Sequence, residues 1–282
     1  QLVQTRGNRY GLPDRMNLVV GRITTNPRGF GFVVPDRPLE EVPGDIYCAH
    51  SNLNQAMHGD RVVARIERIT DRGAEGRIVR ILERGSSNAV GRFDIDESGM
   101  GFVVPFDRRL IMDVHIPPGE SKDATPGDMV TVEITKWPTA ARGPLGRVVE
   151  VLGGNAEPGV DSEIILRKYG IVAEHGEEAV EEARRLGTTV KERDLKGRTD
   201  FRQDVTVTID GEHARDFDDA ITLDRLENGN YWLGVHIADV AHYVPEGSAL
   251  DEEGYDRATS VYFPERAVHM FPSELATGLC SL

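Results

Sequence analysis

Between Thr208 and Ala220 the chain reads TIDGEHARDFDDA, in which Asp210, Glu212, Asp216, Asp218 and Asp219 share a single arginine, Arg215. Carboxylates this close repel, and each makes its neighbours harder to ionise. A hard divalent cation such as Mg²⁺ turns that repulsion to use, since it binds through a few carboxylates, water and substrate phosphates. Its charge then holds a phosphate that bare carboxylates would expel. One or two such ions activate water and stabilise the leaving oxygen of a phosphodiester. Three other readings stay open on the residues alone. An acidic surface loop is one, although Phe217 inside the run points to a partly buried setting. An EF-hand from Asp216 would end at Glu227, but Ala220 and Ile221 fall where an oxygen ligand and a glycine belong. A paired-carboxylate glycosidase is the third.

The elements around the run must position it. In DVTVTID the alternation of Val205, Val207 and Ile209 predicts a half-buried strand delivering Asp210 at its end. Gly211 opens a loop, and DFDDAITL re-enters extended structure with Asp216 and Asp218 on one side. The loop is then expected to fold Asp210 toward them. Upstream, VDSEIILRKYG reads as a helix capped by Asp161 or Ser162 and stopped by Gly170. GEEAVEEARRLG is a second helix, with Ala179, Val180, Ala183 and Leu186 on one stripe. His236 reads as a strand residue, and Asp239 as a candidate support for the acidic run. His50, His58, His115, His175, His242 and His269 form no ligand-like spacing and read as surface or packing residues.

The front half is repetitive. GRITTNPRGFGFVVP from Gly21 matches GRFDIDESGMGFVVP from Gly91, and GRIVRIL from Gly76 matches GRVVEVL from Gly146, both 70 residues apart. HGDRVVARI from His58 echoes PGDMVTVEI from Pro126 in between. Matching blocks in one order at near-constant offset mean two copies of one domain. Each copy holds about five short strands between Gly, Pro, Asp and Asn turns, which suits a small OB-type barrel. RGFGFVVP resembles the RNA-binding strand of cold-shock domains. Phe30 and Phe32 fall on one face and could stack bases beside Arg28, with Gly31 leaving room for a base to lie flat; filling the barrel is the other use for these rings. Copy two keeps Phe102 but has Ser98 and Met100 in place of Arg28 and Phe30, which points to a guiding rather than a stacking role.

The formal charge of −14 is unevenly spread. Residues 1–90 carry 13 Lys and Arg against 10 Asp and Glu, residues 91–155 carry 7 against 10, and residues 156–282 carry 13 against 27. The two cysteines, Cys48 and Cys280, show no metal or disulfide pattern, which predicts a reducing, cytoplasmic setting. No apolar run is long enough to span a bilayer. The chain opens on Gln1 and stops at GLCSL, which suggests a piece of a longer protein.

TIDGEHARDFDDAI, followed by GVHIADVAHYV, TSVYFPERAVHMFP and ELATGLCSL, resembles the catalytic domain of the RNase II/RNB exoribonuclease family, with RYGLP leading into two cold-shock copies ahead of it. The resemblance implies two all-β OB-fold (cold-shock-like) barrels followed by the N-terminal part of an α/β RNB catalytic domain. It divides the chain into a tail of an N-terminal region (1–15), barrels at 16–87 and 88–154, a helical linker (155–203) and the RNB part (204–282). It implies a processive 3′→5′ exoribonuclease, acting as a monomer on single-stranded RNA and releasing nucleoside 5′-monophosphates with Mg²⁺ or Mn²⁺. Asp210, Asp216, Asp218 and Asp219 match the family's catalytic, metal-holding aspartates. Asp210 and Asp219 would be ligands, Asp216 would support metal or water placement, and Asp218 would be the residue whose loss most damages cleavage. Tyr262 matches the aromatic that packs on the 3′-terminal base. His213 stands where the family often has an acidic residue. The rival reading is a non-catalytic RNA-binding module using only the barrels.

Overall fold

Apolar residues at every second position close the front half into barrels. The structure, a computed structural model, describes residues 3–5, 9–11, 17–39, 44–71, 73–154, 156–212 and 214–282, the first two stretches by their backbone alone. The chain divides into two units, Gln1–Gly170 and Ile171–Leu282. A hairpin of β1 (Val3–Thr5) and β2 (Arg9–Gly11) comes first. Much of the tail expected over 1–15, and of RYGLP, lies outside the described residues, as does His213.

In the first barrel, β3 (Leu18–Thr25), β4 (Gly31–Pro35), β5 (Ile46–Cys48), β6 (Arg61–Thr70) and β7 (Gly73–Glu83) close in the order β3-β4-β5-β7-β6. The second repeats the order with β8 (Asn88–Ile95), β9 (Gly101–Pro105), β10 (Val114–Ile116), β11 (Asp128–Lys136) and β12 (Leu145–Gly154). Ile23, Val33, Ile46 and Val62 fill the first barrel, and Phe93, Val103, Val114 and Val130 fill the second. The shared glycines have a packing reason. A Cβ on Gly21 would stand 2.2 Å from the Val34 carbonyl oxygen, and one on Gly91 would stand 2.3 Å from that of Val104. Only glycine lets β3 press so closely on β4, and β8 on β9.

A seam joins the barrels. Thr25 Oγ1 donates to the Arg109 carbonyl at 2.5 Å, and Ile111 packs on the first core. Asp107 accepts from the Arg109 guanidinium and lies 3.7 Å from Lys168 Nζ. The hydrogen bond to Arg109 leads in holding the Asp107 carboxyl down at about 2, with the charges of Arg109 and Lys168 adding to it. Lys168 comes from α1 (Val160–Tyr169), whose Val160 and Ile164 pack on Val90 and Met129. Gly170 stops α1 in the left-handed region, as its sequence predicts. The start differs: Gly159 is the N-cap, at φ 87°, and Asp161 sits in the first turn. The glycine reaches a backbone angle that Asp161 and Ser162 avoid, so the helix begins two or three residues sooner than those caps would start it.

The second unit gathers α2 (Glu177–Leu186), β13 (Thr206–Val207), β14 (Asp219–Arg225), β15 (Tyr231–Ile237), α3 (Val240–Tyr243), α4 (Ala249–Arg257), β16 (Val261–Tyr262), β17 (Ala267–Val268) and a π-helical turn at Leu275–Leu279. Its core joins Ala179 and Ala183 of α2 to Val244, Leu250, Leu275 and Leu279. The α2 stripe is therefore where its periodicity puts it. The strand ahead of Asp210 is not: β13 has two residues, with Val205 83% and Ile209 84% exposed. Val207, Ile221, Leu223, Leu233, Val235 and Ile237 share one side of the antiparallel sheet β13-β14-β15, and among the described residues most of that side stays open to solvent. Of the three alternating residues only Val207 falls within a strand, and the half-buried face that alternation predicted does not form among the described residues. No described helix is long and apolar enough to cross a membrane.

Candidate functional site

The acidic run lies between β13 and β15. Asp219 opens β14 opposite Ile237, and the Asp218 carbonyl accepts from Ala238 N at 3.3 Å. Phe217 is held on both sides of its peptide: its N–H donates to Ser281 Oγ at 3.0 Å and its carbonyl accepts from Leu282 N at 2.9 Å. This accounts for the partly buried setting that Phe217 suggested. Asp216, with a side chain 14% exposed, accepts a short hydrogen bond from the Tyr262 hydroxyl and lies 3.6 Å from His269 Nδ1. The bond to Asp216 is the leading cause that pushes the Tyr262 phenol up, because ionising it would place two negative charges side by side. Tyr262 itself is 62% exposed although it lies in strand β16.

The four aspartates do not converge. Among the described residues, no three His, Cys, Asp or Glu side chains gather where one cation could be held. Chain geometry explains this. Asp218 and Asp219 are adjacent, and consecutive residues of an extended chain point to opposite sides. Asp216 is turned to Tyr262 and His269, and Asp210 follows a strand too short to aim it. The donor chemistry nonetheless suits a hard divalent ion: Asp210, Asp218 and Asp219 are exposed carboxylates, and no hydrogen bond or ion pair engages them among the described residues. Arg198 Nη2 donates to Asp239 at 2.5 Å, which holds that carboxyl low. Burial pushes the nearby Cys280 thiol up to about 11, with the charges of Asp218 and Asp239 adding to the effect. Asp239, partnered by Arg198, directly follows Ala238, whose N–H donates to the Asp218 carbonyl. His236 is a strand residue, bonded through Nε2 to Thr222 Oγ1 at 2.8 Å. A cavity of about 840 Å³ is lined by Arg198, Phe201, Phe217, Ala220 and His236 among others.

The first barrel carries a second candidate surface. Phe30, Phe32 and Tyr47 form a trio with ring centroids 5.6–5.7 Å apart. Neither phenylalanine belongs to the barrel core, where Val33 takes the inward place. Tyr47 escapes a search for one motif; it joins through the register that pairs it with Phe32. Arg28 is exposed in the turn ahead of β4. Gly31 has a different role from the one its place between two rings suggests. It is buried, and a Cβ there would point inward, 3.0 Å from Ile23 Cδ1. The glycine relieves the barrel interior, since alternation turns it away from the stacking face. In the second barrel Phe102 pairs across the ladder with His115 and makes no ring contact among the described residues, while Ser98 is tied up with Asp96 in the turn. Replacing Phe32 by alanine is expected to weaken binding of single-stranded oligonucleotides by about 1–3 kcal/mol. The melting temperature should hardly move, since the ring lies outside the core; anisotropy titration beside a thermal melt measures both.

Comparison with known proteins finds three family models along the chain. A Ribonuclease B OB domain model matches residues 21–81, a cold shock domain model 102–175 and an RNB domain model 198–282. Ribonuclease R of Acidithiobacillus ferrooxidans is 42% identical over all of this chain and 64% of its own length; that of Escherichia coli is 41% identical over all of this chain and 34% of its own. The chain thus spans about a third to just under two thirds of these relatives. Among solved structures, Mycoplasma genitalium RNase R in complex with ribose-methylated single-stranded RNA matches with TM-score 0.81 at 26% identity, covering 93% of this chain and 41% of that one. Aligned over its whole length with ribonuclease R, and matched over residues 21–81 by a Ribonuclease B OB domain model and over 198–282 by an RNB domain model, the chain belongs to the RNB family and is ribonuclease R-like.

Proposed function

We propose that this chain is part of a processive 3′→5′ exoribonuclease that hydrolyses single-stranded RNA to nucleoside 5′-monophosphates, acting as a monomer in the cytoplasm. The observation that carries the reading is the exposed Tyr262 ring bonded through its hydroxyl to Asp216, two residues from Asp218. An aromatic surface for a terminal base thereby stands beside the carboxylates that would face its phosphate. Tyr262 would take the 3′-terminal base, while Phe30, Phe32, Tyr47 and Arg28 hold the strand without reading its sequence. Asp210, Asp216, Asp218 and Asp219 would hold Mg²⁺, or Mn²⁺, which supplies an activated water and charge stabilisation at the phosphate. Asp216 orients Tyr262, and Asp218 and Asp219 present exposed carboxylates beside it. Specificity for RNA would come from contacts to the 2′-hydroxyl beside the cleaved bond.

A second reading, a non-catalytic RNA-binding module, draws on the ready-made ring trio of the first barrel and the unconverged aspartates. One assay separates the two. 5′-labelled single-stranded RNA is incubated with this chain and with its complete protein, in Mg²⁺ and after chelation by EDTA. Stepwise release of mononucleotides that EDTA stops is the expected result for the complete protein. Binding without release in both would give the module reading.

A further inference from the structure

We propose that His269 is a positioning residue that takes over the Asp216 carboxylate when Tyr262 turns to its base; this rests on the reading of Tyr262 as the base-stacking ring. The hairpin β16–β17 sets the geometry. Val261 pairs with Val268 and Tyr262 with Ala267, Phe263 N donates to the Arg266 carbonyl at 2.8 Å, and Met270 N donates to Ser260 Oγ at 3.0 Å. Tyr262 and His269 therefore rise from opposite legs of one short hairpin, their rings edge to face with centroids 6.4 Å apart. Both address the same atom: the tyrosine hydroxyl bonds Asp216 Oδ2, and His269 Nδ1 stands 3.6 Å from it, just beyond a direct bond. That nitrogen is buried and has no hydrogen-bond partner among the described residues.

Buried polar groups are almost always satisfied, so an orphan aimed at a carboxylate asks for a state in which it is bonded. Such a state arises when the Tyr262 ring leaves Asp216 to lie on a terminal base. A shift of a few tenths of an ångström then brings Nδ1–H onto the vacated oxygen. Asp216 keeps one orientation while its donor changes from a hydroxyl to an imidazole nitrogen, and the loop carrying Asp218 and Asp219 stays in place. His269 touches neither RNA nor cation in this scheme.

The test uses the complete protein with His269→Asn, whose amide nitrogen falls close to the place of Nδ1, and His269→Leu, which fills the space without a donor. His269→Leu is expected to lower kcat about tenfold or more through misplacement of Asp216, with KM and RNA affinity within about twofold, and His269→Asn to recover most of the loss. Equal impairment of both variants, or a wild-type kcat for His269→Leu, would overturn the proposal. A second measurement needs no turnover. In Tyr262→Phe, ¹⁵N–¹H spectra should show a slowly exchanging His269 Nδ1 proton that disappears on adding Asp216→Asn; no such signal would count against the hand-over. If wild-type protein releases no mononucleotides while this signal is present, the reading of function fails while the bond from His269 to Asp216 stands.

Discussion

Replacing Asp218 by asparagine in the complete protein is expected to stop RNA hydrolysis while leaving RNA affinity close to that of the wild type. The side chain is exposed and engages no hydrogen bond or ion pair among the described residues; its structural tie is the main-chain carbonyl that accepts from Ala238, which asparagine keeps. Folding therefore has little to lose. Asparagine has the same shape but no charge, and a cation held by carboxylates contributes several kcal/mol of charge stabilisation, roughly a thousandfold in rate. Single-turnover release from labelled RNA, with filter binding and a melting curve on the same sample, measures the three quantities together. A variant that releases nucleotides at the normal rate would remove Asp218 from the chemistry. Asp216→Asn is a poorer probe, because it also disturbs the partner of Tyr262 and mixes base anchoring with catalysis.

The second large effect concerns stability. Gly21→Ala is expected to cost about 3 kcal/mol or more, at or beyond the upper end for overpacking a well-filled core. The added carbon would meet a backbone oxygen at 2.2 Å and Val33 Cγ1 at 2.9 Å, so β3 and β4 must move apart as strands. No side-chain rotation relieves that clash. Gly91→Ala should behave alike, since its carbon would meet the Val104 oxygen at 2.3 Å. Gly99→Ala is the control. It has open space around it at φ 85°, so it should cost only about 1–2 kcal/mol, the penalty of a left-handed residue. Urea titrations of the three variants decide the ranking. A Gly21→Ala midpoint no lower than that of Gly99→Ala would show that the strand pair has slack.

The contrast between those glycines also marks how far the sequence could be read. Two barrels follow from short-range pattern, because Gly21 and Gly91, Val33 and Val103, and Gly76 and Gly146 recur at one spacing and take the same places. The α2 stripe and the stop at Gly170 are legible for the same reason: period and cap are local. The acidic site is only half legible. Five carboxylates in ten residues announce a charge problem, but where each one points depends on partners far along the chain. Tyr262 reaches back 46 residues to hold Asp216, and Ser281 reaches back 64 to fix Phe217. His269 reads as a packing residue until its orphan nitrogen is seen against Asp216. Gly31 shows the opposite error, where a plausible local reason lost to the inward direction that barrel closure imposes. Asp210 is set by the loop that follows the two-residue strand β13, too short a local pattern to fix where that loop carries it.

That open side sets the solution behaviour of the isolated chain. Barrels consume their own edges, whereas among the described residues β15 ends its sheet without a further strand beside it and carries exposed Leu233, Val235 and Ile237, a template on which another molecule's strand can form. What opposes this is the surplus of negative charge in the same half of the chain, which keeps copies apart. Such repulsion reaches only about 8 Å at physiological ionic strength and shortens as salt rises. Buffer salt therefore governs whether this polypeptide stays dispersed or clumps, with the barrels as bystanders.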